Sequence, residues 1–201
     1  MIPILLTMLI FGVIHSLLAE SGVKQAFQKR FGAYAYHGFY RLLYNLFAVI
    51  TLLPVAFIML SSPGRVIWQV DGLMAWVLRI IQLIGLVGLS ISLLQIDLGQ
   101  FLGLKQLRAY LRQQPLPLPL EPLQTNGLYS LVRHPLYLFS LMLIWPLQTM
   151  TESLLAFNIA ATLYFVLGSL LEERRLLALF GQDYADYQQR VPWLIPLPFK
   201  R

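Results

Sequence analysis

Long stretches without a charged residue dominate this sequence, and they restrict the chain to a lipid environment. The first stretch, residues 2–18, contains no Asp, Glu, Lys or Arg. Of the whole chain 58% is hydrophobic and only 12% is charged, whereas a soluble domain carries roughly 25% charged residues. Such a chain cannot cover its surface with polar groups in water. We therefore predict an all-α, polytopic integral membrane protein whose main partner is the lipid bilayer.

Five apolar stretches are predicted to cross the bilayer as helices, each of which needs roughly 20 residues to do so. The fourth is short, and residues 151–153 alone separate it from the fifth. These two are therefore expected to form a tight antiparallel hairpin. The five predicted spans are residues 2–18, 42–60, 73–94, 136–150 and 154–171.

The positive charges predict the orientation of the chain. Of the 15 Lys and Arg residues, all but Arg65 and Arg79 fall on one side of the predicted spans, and such residues favour the cytoplasm. The N-terminus is thus expected outside, on a retained helix rather than a signal peptide, because no positive charge precedes the first span. The net charge of +6 is attributed to cytoplasmic loops, so no nucleic-acid partner is predicted.

The chain is expected to form a single membrane domain over residues 1–201. Residues 1–94 make an N-terminal three-helix part, and residues 125–198 make the final hairpin with a cytoplasmic tail. Apolar side chains recur at helical spacing after residue 171, which predicts a cytoplasmic amphipathic helical segment. The proline-rich residues 113–122 are extended chain, either a plain connector or a strap over a site.

The densest group of polar side chains lies at the cytoplasmic ends of the last two predicted spans. Pro135 suits the first turn of a helix, whose free N–H groups attract a carboxylate. Glu172 and Glu173 are about 100° apart on a helix, so only one is expected to face a common pocket. The group suits a zwitterionic ligand with carboxylate, amine and ribose, although ordinary interfacial salt bridging remains an alternative. The hairpin brings together Arg133, His134, Tyr137, Glu172 and Glu173.

Polar residues within other spans are also candidates, because side chains of this kind are costly in lipid. His15 is interpreted as a helix–helix hydrogen-bonding residue in preference to a functional one. Arg79 is expected to snorkel outward, and Asn45, one turn deeper than Arg41, has no simple anchoring role. The absence of cysteine excludes thiolate metal sites and cysteine nucleophiles, and no metal site is predicted.

Three motifs in order give the C-terminal half a family resemblance. They are Arg133-His134-Pro135-Leu136-Tyr137, the pair Glu172-Glu173, and the string FGQDYADYQQRVPWLIP beginning at Phe180. This half resembles the isoprenylcysteine carboxyl methyltransferase and phospholipid methyltransferase superfamily. The segments beginning at His15 and Tyr40 further resemble its bacterial branch of methanethiol S-methyltransferases and of membrane proteins associated with nitrite and nitric-oxide reductases.

The resemblance implies a methyltransferase of the bacterial inner membrane that uses S-adenosyl-L-methionine. Its acceptor would be a small thiol or a lipophilic molecule, namely a thiol, a prenyl-cysteine carboxylate or a lipid amine. No catalytic residue is assigned, and Arg190 is a weaker candidate for cofactor binding. The cofactor-binding residues implied are Tyr129, Arg133, His134, Tyr137, Glu172, Glu173, Tyr184 and Tyr187.

One departure from the family pattern bears on substrate size. Relatives often have glycine two residues after the motif tyrosine, where this chain has Phe139. A bulky side chain there is expected to narrow the cofactor cleft or the acceptor tunnel. Two other functions are compatible with the scaffold: a non-catalytic membrane protein that assists respiratory or denitrification enzymes, and a reductase that uses a nicotinamide cofactor.

Overall fold

The computed structural model describes residues 1–196, so predictions that fall on residues 197–201, including Lys200, Arg201 and the end of the 125–198 segment, lie outside the described residues. Helices dominate, joined by short connections and one small antiparallel ribbon. The helices are α1 (Ile2–Ala19), α2 (Ser21–Phe31), α3 (Ala33–Ser61), α4 (Gly72–Leu94), α5 (Leu98–Leu102), α6 (Leu104–Leu111), α7 (Pro135–Ile144), α8 (Glu152–Phe180) and α9 (Gln182–Arg190), with a 3₁₀ turn at Gly127–Ser130. The strands are β1 (Val66–Gln69) and β2 (Thr149–Thr151).

Four helices, α1, α3, α4 and α8, are long and apolar enough to cross a membrane. Because a helix satisfies its own backbone hydrogen bonds, it is the form that apolar chain takes in lipid. The prediction of an all-α, polytopic membrane protein is confirmed. Helix α8 extends past the predicted end of the fifth span, through both glutamates, to Phe180. The tail helix α9 follows after Gly181, whose φ of 56° interrupts the helix.

The fourth predicted span differs from its expected form. Helix α7 has 10 residues, which at 1.5 Å per residue cover about 15 Å, roughly half of the hydrocarbon thickness. Beyond it the chain becomes extended, and β2 pairs with β1, with Thr149 opposite Gln69. The apolar sequence up to Met150 predicted a longer helix, but Pro146 and the polar residues that follow it interrupt the helical pattern.

Side chains from other elements satisfy the backbone where α7 ends. The Nδ2 of Asn158 on α8 donates to the Ile144 carbonyl over 2.7 Å. The Nε2 of Gln82 on α4 donates to the Leu143 carbonyl over 3.1 Å. The indole of Trp68 on β1 donates to the Leu147 carbonyl over 3.2 Å. The backbone carbonyls at the end of α7 have no further helical partner, and lipid offers no hydrogen-bond donor. The three side-chain donors satisfy these carbonyls instead.

Helix α7 packs mainly along α4 rather than along α8, so the expected tight hairpin between α7 and α8 is looser than predicted. Two glycines of α4 allow the approach. A Cβ on Gly85 would lie 2.9 Å from the Leu143 backbone nitrogen, and the ring of Phe139 lies directly over Gly88. Phe139 is therefore buried against α4, where it fills the space above a glycine.

The chain groups into two compact units. The first comprises Met1–Pro63 and Asp97–Glu121, and the second comprises Gly64–Ile96 with residues 122–196. Helix α4 thus groups with the C-terminal elements, although the sequence placed it in the N-terminal part. The single membrane domain stays a prediction. The proline-rich segment is bound within the first unit, where the Tyr34 hydroxyl donates to the Gln114 carbonyl and Gln100 Nε2 donates to the Pro119 carbonyl.

Candidate functional site

A largely shielded ion pair in the second unit joins the segment before α7 to helix α8. Arg133 Nε donates to Glu173 Oε1 over 2.6 Å, and both side chains are largely shielded from solvent. The same guanidinium donates through Nη1 to the carbonyls of Gln188 and Val191, over 3.1 and 2.7 Å. Arg133 therefore ties α8 to the end of α9, and charge-assisted bonds of this kind are among the strongest in proteins.

Backbone hydrogen bonds bring two of the sequence motifs side by side. The Arg133 N–H donates to the Pro192 carbonyl over 2.9 Å, and the His134 N–H donates to the Trp193 carbonyl over 3.2 Å. The chain just before α7 thus lies against the chain just after α9. This pairing explains why both motifs contribute to one place although they are far apart in the sequence.

His134 lies between the two adjacent glutamates. Its Nε2 lies 3.2 Å from Glu173 Oε1 and its Nδ1 lies 3.6 Å from Glu172 Oε2. We expected only one carboxylate to face the pocket. Both reach the histidine because the imidazole presents a nitrogen on each side of its ring.

The two carboxylates differ in their surroundings. Glu173 is 13% exposed and accepts bonds from Arg133 and, over 3.0 Å, from Gln188 Nε2. Glu172 is 46% exposed, and Oε2 accepts a bond from the Tyr137 hydroxyl over 3.1 Å. Glu173 is thus occupied by the scaffold, and Glu172 is the carboxylate that remains accessible to a ligand.

Three aromatic rings are stacked beside these carboxylates. The rings of His134 and Tyr137 are 5.5 Å apart and inclined by 17°, and Phe165 continues the stack at 5.1 Å and 19° from Tyr137. Gly168, one turn from Phe165 on α8, leaves room beside Tyr137, because a Cβ there would come no closer than 3.8 Å to the Tyr137 hydroxyl. Stacked rings next to a carboxylate are a favourable environment for a cation.

The remaining predicted tyrosines form the wall behind this group. Tyr184 and Tyr187 on α9 are buried among apolar side chains, and the Tyr187 hydroxyl donates to the Tyr129 carbonyl. Burial raises the pKa of Tyr129 to about 12, with the charge of Glu172 adding to the effect. Burial likewise raises the pKa of Tyr184 and of Tyr187. All three hydroxyls therefore stay protonated at neutral pH.

Two buried donors in the second unit have no hydrogen-bond partner among residues 1–196: the Tyr184 hydroxyl and the Trp193 indole nitrogen. A buried polar group without a partner is costly, so both donors are available to an acceptor atom of a ligand. Trp193 is not among the site residues that the sequence predicts. An apolar indole ring near the end of the chain gives no sequence signal for a place in this site. The place becomes visible in the structure because the Trp193 carbonyl pairs with the His134 N–H.

The structure brings together all eight predicted cofactor-binding residues in the second unit. Arg190, the weaker candidate, does not contact them through its side chain. Its side chain is exposed and donates to the Asp186 carbonyl on its own helix. Three residues were missed: Trp193, Gln188, which follows Tyr187 and bonds Glu173, and Phe165. Gln188 occupies a variable position of the motif, and Phe165 is one apolar residue among many in its span, so neither carries a sequence signal.

The polar residues noted in other spans have structural partners. His15 Nε2 contacts the Tyr44 hydroxyl across α1 and α3, as a helix–helix contact would require. Asn45 Nδ2 donates to the Phe101 carbonyl and so holds α5 against α3. Arg79 is exposed, lies 4.8 Å above the Trp76 ring, and donates to Gln148 Oε1 over 3.0 Å.

Comparison with known proteins identifies relatives along almost the whole chain. Residues 3–148 match the family described as NnrU protein. Methanethiol S-methyltransferase 2 of Bradyrhizobium diazoefficiens is 33% identical over 98% of this chain and 73% of its own length. Methanethiol S-methyltransferase 1 of the same organism is 35% identical over 96% of this chain, which spans 65% of that protein. Protein-S-isoprenylcysteine O-methyltransferase B of Arabidopsis thaliana is 37% identical over 37% of this chain and 39% of its own length. No solved structure matches the chain significantly.

Proposed function

The chain belongs to the NnrU protein family and is a homologue of the methanethiol S-methyltransferases, and from this membership we propose that it is an integral membrane methyltransferase that uses S-adenosyl-L-methionine. The observation that carries the proposal is the convergence of Arg133, His134 and Tyr137 with Glu172 and Glu173 in one cluster. Buried ionisable groups that share contacts are typical of functional sites.

The residues of this cluster fit the groups that S-adenosyl-L-methionine carries. The accessible carboxylate of Glu172 suits the ammonium or a ribose hydroxyl of the cofactor. The unpartnered donors of Tyr184 and Trp193 suit its acceptor atoms. The stacked rings of Tyr137 and Phe165 suit the positively charged sulfonium.

When bound, the cofactor supplies a methyl group that its sulfonium sulfur has already activated. The task of the chain is then to bind, orient and exclude water rather than to activate the donor. Glu173 is held by Arg133 and Gln188. It therefore fixes the position of the α8 turn that carries Glu172. The buried tyrosines of α9 close the site on the side of the tail. No residue is assigned as a catalytic base.

We assign a small thiol as the methyl acceptor, because relatives that cover most of the chain are named for methanethiol. A prenyl-cysteine carboxylate or a lipid amine is the lipophilic alternative, which the shorter match to an isoprenylcysteine methyltransferase supports. In the proposed arrangement the donor site opens to the cytoplasm of a bacterial inner membrane.

The proposal is tested by calorimetry of S-adenosylhomocysteine binding to the purified chain in detergent. We expect binding by the wild type and a loss of about tenfold or more in Glu172→Gln, since a hydrogen bond to a charged group contributes roughly 1.5–3 kcal/mol. Glu152→Gln is the matched control, because Glu152 lies at the opposite end of the same helix and its variant should bind like the wild type.

Two outcomes would reject the proposal. Failure of well-folded wild-type protein to bind would favour the non-catalytic scaffold that assists other membrane enzymes. Binding of a nicotinamide cofactor in place of S-adenosylhomocysteine would favour a reductase. Once binding is established, methyl transfer from labelled donor to a thiol, a prenyl-cysteine and a phospholipid identifies the acceptor.

A further inference from the structure

Two short amphipathic helices of the first unit, α2 and α6, both pack against α3. Helix α2 begins two residues after α1 ends, so it lies where the first candidate span ends. Helix α6 packs against the beginning of α3, where the Tyr110 ring covers Gly38 so closely that a Cβ would lie 2.6 Å from the ring. Both helices therefore lie near the same end of α3.

Tyr34 joins the ends of these two helices. It lies three residues after the last residue of α2, and its hydroxyl donates to the Gln114 carbonyl over 3.0 Å. Its ring lies 5.0 Å from that of Tyr110 on α6. The last turn of α2 and the last turn of α6 thus belong to one surface.

This surface is strongly basic. Its cations are exposed, and none of them forms an ion pair with a carboxylate of residues 1–196. Lys105 on α6 is not part of this set, because it forms an ion pair with Asp97. The unpaired cations are Lys29, Arg30, Arg108 and Arg112. We call these four residues, with Phe31 and Leu111, the basic corner.

Exposed apolar side chains are interleaved with these charges. Phe31 and Leu111 are both exposed, and the Arg30 guanidinium lies 5.5 Å from the centre of the Phe31 ring. Apolar anchors next to cations are the pattern by which helices lie in the headgroup region of a bilayer. Basic clusters beside a transmembrane helix attract anionic lipids.

We propose that the basic corner is a binding site for the headgroups of anionic phospholipids, whose phosphates contact the four cations while their acyl chains contact Phe31 and Leu111. A lipid is favoured over a soluble anion because it would contact both the cations, through its phosphate, and the apolar anchors, through its acyl chains. The position of the basic corner beside α1 also favours a lipid. The site lies within the first unit and does not depend on the proposed methyltransferase activity.

The test measures which lipids stay bound to the full chain. The protein is reconstituted in vesicles of phosphatidylcholine and phosphatidylglycerol in equal amounts, extracted in mild detergent, and its retained lipids are measured by mass spectrometry. We expect the wild type to enrich phosphatidylglycerol by about twofold or more. Arg108→Gln/Arg112→Gln should reduce the enrichment towards the ratio in the vesicles, and Arg108→Lys/Arg112→Lys should preserve it.

Arg174→Gln/Arg175→Gln is the matched control. It removes the same charge from two exposed arginines of α8 that carry no ion pair within the described residues, and its enrichment should equal that of the wild type. An equal loss of phosphatidylglycerol enrichment in this control would show that the effect depends only on the overall charge of the protein. That result would overturn the proposal. Absence of enrichment in the wild type would overturn it as well. Displacement of the lipid by inorganic phosphate would show that the site prefers the free anion, and it would also overturn the proposal. Circular dichroism of each variant establishes that it is folded.

Discussion

Glu172 and Glu173 are neighbours in the sequence, yet the structure gives them different roles. Glu173 interacts with Arg133, His134 and Gln188, which come from two other segments of the chain. Glu172 has a more exposed carboxylate and bonds the hydroxyl of Tyr137. A buried carboxylate that compensates a buried guanidinium is mainly a structural group, because its loss leaves the positive charge unpaired.

We therefore predict that Glu173→Gln destabilises the protein, whereas Glu172→Gln weakens ligand binding without doing so. Breaking a buried pair costs roughly 3 kcal/mol, which lowers the unfolding midpoint of a chain of this size by roughly 6–12 °C. Differential scanning fluorimetry in detergent, without ligand, measures the midpoints. Glu172→Gln should unfold near the wild-type temperature. Equal midpoints for both variants would contradict the separation of roles.

The sequence was sufficient to predict the central part of this cluster. An antiparallel return of the chain brings the residues before α7 to the depth of residues late in α8, so His134 and Glu173 meet. The contribution of Gln188 was not predictable in the same way. It depends on the folding back of α9, which the bonds from Arg133 to the Gln188 and Val191 carbonyls maintain.

Among the helices and strands, the short helix α7 is the one that the sequence predicts least accurately. An apolar run predicts burial in lipid, but it does not indicate where the helix stops. The end of α7 depends on donors from three other elements, Gln82, Asn158 and Trp68. These partners are distant in the sequence, so their roles become visible only when the elements are assembled. The four longer spans needed no such partners and were predictable from length and hydropathy.

Asn158 provides the test of this interpretation. Asn158→Leu keeps a similar volume but removes the donor to the Ile144 carbonyl, so we predict a loss of about 1–3 kcal/mol because that buried carbonyl becomes unsatisfied. The unfolding midpoint should fall by roughly 2–12 °C. Ser90→Leu is the control, since Ser90 bonds the carbonyl of Leu86 within its own helix and is exposed. A wild-type midpoint in Asn158→Leu would show that α7 does not need this bond.

At the scale of the whole molecule, the distribution of Lys and Arg predicts the orientation of the chain in the membrane. In the first unit, α2 and α6 carry basic residues on exposed positions. In the second, the proposed donor site lies at the end of α8 that is followed by α9, and the ribbon of β1 and β2 lies at the other end. The positive-inside rule predicts that the basic helices face the cytoplasm, that the proposed donor site opens to the cytoplasm, and that the ribbon lies outside.

The absence of native cysteine makes this orientation directly measurable. Single cysteines are introduced at exposed positions in the three regions, as Gln25→Cys in α2, Asp71→Cys before α4 and Gln182→Cys in α9. A membrane-impermeant maleimide should label Asp71→Cys in intact cells, because that residue is predicted outside. It should label Gln25→Cys and Gln182→Cys only after permeabilisation. Labelling of Gln182→Cys in intact cells would place the cluster of Arg133 and Glu173 on the outer face, away from cytoplasmic S-adenosyl-L-methionine, and would refute the proposed donor site while leaving the lipid site to its own test.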